Sequence, residues 1–241
     1  MHPQICEIGY FTIYSYGLML AIAFLISSNL IISRAKNENI DADTILNLCF
    51  MVFISGVIGA RILYVVENFA YYLKSPFEII MLQHGGLSWF GGLLLSVASG
   101  FIYLKMKGLP IYRILDLMSP FVALGQAIGR IGCLLNGCCY GKMSEFGLYF
   151  QAQKATLIPT QLYSSLILIF MFIVLRALQD RPHKEGGIFF AYLLMYSLKR
   201  FFMEFYRADN EIILSGLTLF QLISIAVFFL AVYKLISIKR S

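Results

Sequence analysis

Charged side chains are scarce in this sequence. Lys, Arg, Asp and Glu make up 13% of its 241 residues, against about 25% in a typical soluble domain. Hydrophobic residues make up 59%, and a soluble protein of that composition would expose large apolar patches. A bilayer offers such side chains a matching solvent. The composition therefore excludes a soluble protein and predicts an all-α, polytopic membrane protein whose residues 1–241 form a single transmembrane domain.

Basic runs are also missing. The formal net charge is +6, but no stripe of Lys and Arg interleaved with aromatic residues occurs, so the usual footprint of a nucleic-acid-binding protein is lacking. We therefore predict no nucleic acid as a partner.

The cysteine pattern lacks the spacing of a metal site. The five cysteines are odd in number, and three of them cluster at Cys133, Cys138 and Cys139 without a C-x-x-C pair or a nearby histidine. We expect no disulfide framework, no metal and no cofactor. Buried small side chains are the favoured interpretation of the three cysteines, and a redox pair on an oxidising face is the alternative.

Long apolar stretches are what the sequence has in abundance. A helix of about 20 residues crosses roughly 30 Å of hydrocarbon. About seven stretches have this character and predict seven transmembrane helices, at 11–33, 44–66, 87–104, 114–135, 160–175, 186–206 and 216–233.

Basic residues outside these spans fall mostly on one side. Eleven of them share one set of connections and the tail: Arg34, Lys36, Lys105, Lys107, Arg113, Arg176, Arg181, Lys184, Lys234, Lys239 and Arg240. By the positive-inside rule, the N-terminus is predicted outside and the C-terminus cytoplasmic. Residues 67–86 are predicted to form an interfacial segment, and 136–159 an external loop.

Four basic residues remain inside the spans, namely Arg61, Arg130, Lys199 and Arg200. Each costs on the order of 3 kcal/mol on insertion scales, so such residues usually face a cavity and a partner. The topology places the three arginines toward the outer leaflet. For Arg130 and Arg200 a functional role is favoured, whereas Arg61 and Lys199 are as readily explained by snorkelling or ion pairing.

The sixth span carries further charge. Helical spacing would put Arg200, Glu204 and Arg207 on one face, where Glu204 could hold both arginines. Guanidinium groups match phosphate oxygens in bidentate geometry, so the phosphodiester of an outer-leaflet phospholipid is the predicted ligand.

Two glycine-rich patches lie at the same depth. Gly125, Gly129 and Gly132 share a helical face beside Arg130 and allow a helix or a headgroup to approach. The segment 85–92 opens the third span, where its amides could bind an anion or permit a tight turn.

These residues resemble the bacterial prolipoprotein diacylglyceryl transferases along nearly the whole chain. The matching signature is Gly129-Arg130-Ile131-Gly132, followed by Asn136 and Gly141. The other matching elements are Tyr16-Gly17-Leu18-Met19, Gly59-Ala60-Arg61 with Tyr64, Gly85-Gly86 through Gly91-Gly92, Asp116 with Pro120, Pro159-Thr160-Gln161-Leu162-Tyr163, Tyr196 through Arg200 with Glu204 and Arg207, and Leu217-Thr218 with Gln221 and Ser224.

The resemblance implies transfer of a diacylglyceryl group from phosphatidylglycerol to the lipobox cysteine of a prolipoprotein. The transfer forms a thioether and releases glycerol phosphate. It would take place in the bacterial cytoplasmic (inner) membrane, with the active site toward the outer leaflet. Arg130 and Arg200 match the family's essential arginines and are the predicted catalytic residues. The remaining predicted substrate-binding residues are Tyr16, Arg61, Gly91, Gly92, Asn136, Gly141, Gln161, Tyr163, Tyr196, Glu204 and Arg207.

Three departures from the family pattern lie near the predicted chemistry. Phe90 stands where the family commonly has histidine, Cys133 where it commonly has asparagine, and Cys138 where it has glutamate. Phe90 cannot accept a proton, so this position supplies no general base. The incoming thiol could ionise beside Arg130 or Arg200, and His84 is a weaker candidate base.

Three alternatives follow from these features. A divergent family member would act on another lipid or acceptor, and a lipid or anion carrier would use the arginines without chemistry, although the inverted repeats of many carriers are not evident. A thiol oxidoreductase would depend on the cysteines and not on Arg130.

Overall fold

The structure is a computed structural model that describes residues 4–8, 11–81, 85–207, 212–214 and 216–240. It divides into two compact units. One comprises residues 1–27 and 112–241, and the other residues 28–111. We call them the terminal unit and the middle unit. His84 lies outside the described residues.

Helices dominate both units, which confirms the all-α membrane architecture. They are α1 (Ser15–Asn37), α2 (Ala42–Glu67), α3 (Phe69–Lys74), α4 (Trp89–Met106), α5 (Ile111–Asn136), α6 (Thr160–Gln179), α7 (Gly187–Glu204) and α8 (Leu219–Arg240). In the described part of the chain, six helices are long and apolar enough to cross a membrane, namely α1, α2, α4, α5, α6 and α8.

The helix at the predicted sixth span differs from these six. α7 has 18 residues, a length of about 27 Å. Its three charged residues, Lys199, Arg200 and Glu204, therefore all fall within the one stretch that could cross the membrane. Its passage through the bilayer stays a prediction.

Small residues join α2 and α4 in the middle unit. A Cβ atom on Gly59 would overlap the carbonyl of Gly91, and one on Gly91 would overlap the carbonyl of Gly59. The two backbones therefore touch where neither residue has a side chain, as small-residue membrane interfaces do. The Ser55 and Ser99 hydroxyls, 2.6 Å apart, add a polar contact between the same helices.

The segment after α2 folds into α3 and a 3-10 turn at Pro76–Ile79. Phe77 and Ile80 are each 81% exposed, an arrangement typical of side chains that enter the edge of a bilayer. The interfacial placement of 67–86 remains a prediction.

Apolar residues of α5, α6 and α7 form the core of the terminal unit. Ala123 and Ala127 pack with Leu168, Met171, Leu175, Ile188 and Tyr192. Ser165 Oγ donates to the Ala127 carbonyl over 2.9 Å, so α5 and α6 approach closely beside these alanines.

Asp116 of α5 fixes the start of α7. Its buried carboxylate accepts hydrogen bonds from the amide of Gly186 (2.6 Å) and the amide of Phe189 (2.7 Å). The first amides of a helix lack intrahelical partners, and a carboxylate there also offsets the helix dipole. The contact holds the entry of α7 against α5.

Three two-stranded antiparallel sheets occur in the described residues. They are β1 (Gln4–Ile8) with β2 (Phe11–Tyr14), β3 (Met143–Phe150) with β4 (Ala155–Leu157), and β5 (Ile212–Leu214) with β6 (Leu217–Thr218). The β3–β4 hairpin occupies the predicted loop 136–159. It joins the end of α5 to the start of α6.

Candidate active site

Arg200, one turn before the end of α7, is held from two sides. Its Nη2 atom lies 3.2 Å from Oε2 of Glu204, and its guanidinium carbon lies 4.2 Å from the ring centre of Phe220 in α8. A guanidinium over an aromatic face is attracted by the ring quadrupole. The ion pair confirms the predicted contact of Arg200 with Glu204.

Glu204 is in turn held by the first turn of α8. Thr218 Oγ1 donates to Glu204 Oε1 over 2.8 Å. The backbone N–H of Thr218 donates to Gln221 Oε1 (3.0 Å), and the backbone N–H of Gln221 donates to Thr218 Oγ1 (3.4 Å). This reciprocal pair is a capping box. The Thr-x-x-Gln spacing is its sequence signal, and it could have predicted both the start of α8 and the anchoring of Glu204.

Arg207 lies beyond the helix that was predicted to carry it. α7 ends at Glu204, and Arg207 pairs with Gly141 in an antiparallel β-bridge. The prediction that the helix of Arg200 and Glu204 extends to Arg207 is therefore wrong, although the charge of Arg207 still acts on Arg200. The pairing needs a glycine, because a Cβ atom at 141 would lie 2.5 Å from the Tyr206 carbonyl.

Arg130 and Lys199 are two cations whose side chains have few polar contacts. Arg130 is half-buried in α5, and Lys199 is 7% exposed in α7. Among the residues that the structure describes, neither forms a hydrogen bond or an ion pair, and the Lys199 ammonium lies 5.1 Å from the ring centre of Tyr196. Arg130, Arg200 and Arg207 all act electrostatically on Lys199. These four cations form a cluster with an excess of positive charge, which attracts an anion.

The chain leaves α5 through a Schellman motif. The Cys138 amide donates to the Cys133 carbonyl (3.1 Å), and the Gly137 amide donates to the Leu134 carbonyl (3.1 Å). Gly137 has φ +72°, the left-handed conformation that this motif requires and that glycine adopts at little cost. The motif brings the side chains at 133 and 138 together.

Cys139 joins them because its own φ is +62°. The three sulfur atoms all lie within 4.8 Å of one another. Hydrogen bonds from the Cys133 and Cys138 thiols lower the pKa of Cys139, and the charges of Arg207 and Arg130 lower it further. The three cysteines therefore form one polar group beside the cation cluster.

The start of α6 holds the loop that carries these thiols. Thr160 Oγ1 donates to the Cys139 carbonyl (2.7 Å), and Gln161 Nε2 donates to the Cys138 carbonyl (2.5 Å). Gln161 is 1% exposed. Tyr163 points away to the exposed face of α6.

Tyr16 and Asn136 complete the group in the terminal unit. Tyr16 is partly exposed near the start of α1, and a Cβ atom on Gly132 would lie 3.4 Å from its ring. Arg130 and the three cysteines act electrostatically on its hydroxyl. Asn136, the last residue of α5, is exposed and lies beside the Cys138 thiol.

Arg61 belongs to the middle unit and is 6% exposed. Its Nε donates to the carbonyl of Ile79 (3.0 Å), and its two terminal nitrogens donate to four more main-chain carbonyls. These are the carbonyls of Glu78, Met81, Gly85 and Gly86. All five N–H groups of the guanidinium are thus engaged.

Gly91 and Gly92 also belong to the middle unit, at the interface of α4 with α2. Phe90 precedes them, half-buried, with its ring centre 5.1 Å from that of Trp89. The predicted site residues therefore divide between the two units. The terminal unit holds Tyr16, Arg130, Asn136, Gly141, Gln161, Tyr163, Tyr196, Arg200, Glu204 and Arg207, and the middle unit holds Arg61, Gly91 and Gly92.

Six helices long and apolar enough to cross a membrane, together with a cluster of cations near the ends of α5 and α7, define a polytopic membrane protein with a candidate anion site. The chain belongs to the prolipoprotein diacylglyceryl transferase family, whose profile matches residues 3–237.

Named relatives agree with this assignment. The chain is 31% identical over 240 residues to a phosphatidylglycerol–prolipoprotein diacylglyceryl transferase of Clostridium tetani, which covers 97% of this chain and 96% of the relative. A Finegoldia magna protein of the same name is 33% identical over 227 residues, covering 93% and 91%. One of Bacillus licheniformis is 30% identical over 259 residues, covering 100% and 93%.

Proposed function

We propose that this chain transfers the diacylglyceryl group of phosphatidylglycerol to the thiol of a lipobox cysteine in a prolipoprotein. The relatives are named as transferases of a diacylglyceryl group between phosphatidylglycerol and a prolipoprotein. The new bond is a thioether, and glycerol phosphate leaves. The observation that carries the proposal is the half-buried Arg130, which has no hydrogen bond or ion pair within the described residues and belongs to the cation cluster.

The cation cluster suits the phosphodiester of this substrate. An isolated cation in a membrane helix is costly, and a pair of phosphate oxygens would offset that cost through bidentate hydrogen bonds to a guanidinium. Arg130 is the group with its donors available, and we assign it to the phosphate. Lys199 adds a point charge beside it.

Arg200 differs from Arg130 because Glu204 and Phe220 already orient it. A cation fixed in advance stabilises charge that develops during a reaction without having to reorganise. We therefore assign Arg200 to the phosphate oxygen that leaves with glycerol phosphate, and Glu204 and Thr218 to the positioning of Arg200.

The other residues would shape the pocket. Tyr16, Asn136, Gly141, Gln161, Tyr163, Tyr196 and Arg207 remain assigned to substrate binding, Gly141 and Gln161 through the main chain that they hold. Because the guanidinium of Arg61 is fully engaged by carbonyls, we assign Arg61 to supporting the segment 76–86, and Gly91 and Gly92 to the approach of α4 and α2.

The location of the reaction follows from the distribution of basic residues. The loops richest in Lys and Arg are assigned to the cytoplasm, so the ends of α5 and α7 that bear the cation cluster face outward. The substrate would then be a phospholipid of the outer leaflet of the bacterial cytoplasmic membrane, and the acceptor a secreted precursor.

A transfer assay tests the proposal. Purified protein is mixed with phosphatidylglycerol labelled in its acyl chains and with a lipobox peptide, and the label on the peptide is measured. We expect label on the cysteine peptide, none on the matched serine peptide, and none with Arg130→Ala.

Other outcomes would contradict the proposal. Lipid that binds or crosses the bilayer without reaching the peptide would indicate a carrier, and transfer from another phospholipid alone would indicate a divergent enzyme. Loss of activity in cysteine variants with full activity in Arg130→Ala would favour thiol chemistry.

A further inference from the structure

The three clustered cysteines have a geometry that apolar packing does not require. Cys133 and Cys138 meet through the Schellman motif, and Cys139 turns its side chain back by a left-handed φ of +62°. Few non-glycine residues adopt that conformation. The result is three sulfur atoms within 4.8 Å of one another. Cys133 lies in α5, and α6 holds the loop of Cys138 and Cys139 by two hydrogen bonds.

These distances between the sulfur atoms suit zinc, or another divalent cation that thiolates bind in tetrahedral geometry; we call such an ion a zinc-class cation. Zn–S bonds of about 2.3 Å place the sulfur atoms of a tetrahedral site roughly 3.8 Å apart. The three thiols reach that spacing by inward movements of about an ångström or less. Three protein ligands also leave a fourth position open, which is the pattern of catalytic zinc sites and not of structural ones.

The charges around the cluster match those of such a site. Three thiolates and one divalent cation carry a net charge of −1, and the positive charges of Arg130 and Arg207 act directly on Cys139.

A buried polar atom adds a second observation. Oε1 of Gln161 is buried and has no hydrogen-bond partner within the described residues, while Nε2 of the same side chain holds the Cys138 carbonyl. Buried polar atoms normally have a partner. A water or ligand bound beside the Cys138 loop, which Gln161 holds, would supply one.

We propose that Cys133, Cys138 and Cys139 bind a zinc-class cation whose fourth position takes the thiol of the acceptor cysteine. The inference rests on the transfer activity proposed above. A thiol that binds the metal loses its proton. The proton passes to water. The metal-bound sulfur then attacks the glycerol carbon, the C–S bond forms as the C–O bond breaks, and the bonding pair leaves on the phosphate oxygen.

Cobalt(II) is the probe for the first half of the proposal, because sulfur ligands give it a strong charge-transfer absorption. We expect the reduced, purified protein to bind one cobalt ion with this absorption. Cys133→Ser, Cys138→Ser and Cys139→Ser should each weaken binding by tenfold or more. Cys49→Ala, in the middle unit, is the matched control and should bind as the unaltered chain does.

The second half is tested by adding peptide to the cobalt-loaded protein. A lipobox peptide should shift the absorption toward higher sulfur coordination, and the matched serine peptide should not. This readout does not depend on lipid transfer, so a positive shift without transfer would contradict the proposed function and leave the metal site standing.

Three results would overturn the inference. They are binding that the serine variants leave unchanged, a disulfide among the three cysteines in the active protein, and cobalt binding that the cysteine peptide does not perturb. In the second case the cluster would be a redox pair, and in the third a purely structural metal site.

Discussion

Two arginines in membrane-spanning helices, Arg61 and Arg130, meet the cost of burial in opposite ways. Arg61 is 6% exposed and donates to five main-chain carbonyls of the segment 76–86. Arg130 is half-buried and has neither a hydrogen bond nor an ion pair in the described part of the chain. A buried guanidinium needs its donors satisfied, so Arg61 has the environment of a structural residue and Arg130 that of a residue which awaits a ligand.

The largest expected effect is on catalysis, from Arg130→Ala. Removing one preorganised donor to developing charge typically lowers kcat by about 10²–10³, and we expect a loss of at least that size in the transfer assay. Arg130→Lys should recover little, because lysine lacks the planar fork. The thermal unfolding midpoint in detergent should stay nearly unchanged, since the side chain of Arg130 forms no hydrogen bond or ion pair within the described residues. A large drop in that midpoint would show that Arg130 stabilises the fold, as Arg61 does, and would contradict the difference drawn between them.

Arg61→Ala should show the reverse pattern. Each carbonyl left without a donor costs about 1–3 kcal/mol, although water reaches some of them, so we expect several kcal/mol of lost stability in the middle unit. Arg61→Lys, with three donors, should recover part of it.

Thermal unfolding in the same detergent measures this effect, and Arg130→Ala is the matched control. If Arg61→Ala unfolds at the temperature of the unaltered protein but no longer binds phosphatidylglycerol, Arg61 contacts the lipid and its carbonyl contacts are incidental.

The same contrast explains what sequence could and could not predict. Hydropathy and helical spacing predicted the spans and the Arg200–Glu204 pair, because both depend on residues that are neighbours along one helix. Apolar length and an i,i+4 spacing are local properties.

The features that the sequence did not predict depend on contacts between residues far apart along the chain. The role of Arg61 depends on carbonyls 17 to 25 residues away along the chain, which meet it only after the segment 76–86 folds back onto α2. The cysteine cluster depends on left-handed backbone at Gly137 and Cys139, and only the first of these has a sequence signal in glycine. The misplacement of Arg207 came from extending α7 past Glu204, where a β-bridge to Gly141 takes over.

Lys199 is a second cation that, like Arg130 and unlike Arg61, lacks polar partners within the described ranges. It is buried beside three arginines and has no described hydrogen bond or ion pair. Lys199→Met keeps much of the apolar stem and removes the charge, so stability should hold or rise. The affinity for phosphatidylglycerol should fall about tenfold, the equivalent of ~1.4 kcal/mol for a lost contact with a charged phosphate. Lys142→Met, at an exposed position of the same unit, is the control, and equal losses in the two variants would show a diffuse field instead of a site.

The smallest expected effect is at Thr218, which connects the α8 cap to Glu204. Thr218→Val removes the hydroxyl that accepts from the Gln221 amide and donates to Glu204, and loss of an N-cap costs about 0.5–2 kcal/mol. Because Glu204 then orients Arg200 less firmly, transfer should also slow by a few fold with little change in KM.

Thr218→Ser restores the hydroxyl and should restore both the stability and the transfer rate. Ser224→Ala removes only a hydrogen bond to the Phe220 carbonyl within α8 and should alter neither. If Thr218→Val lost stability but kept its kcat, the Phe220 ring alone would be enough to orient Arg200. The contacts of Thr218 with Glu204 and of Glu204 with Arg200 would then stabilise the fold without contributing to catalysis.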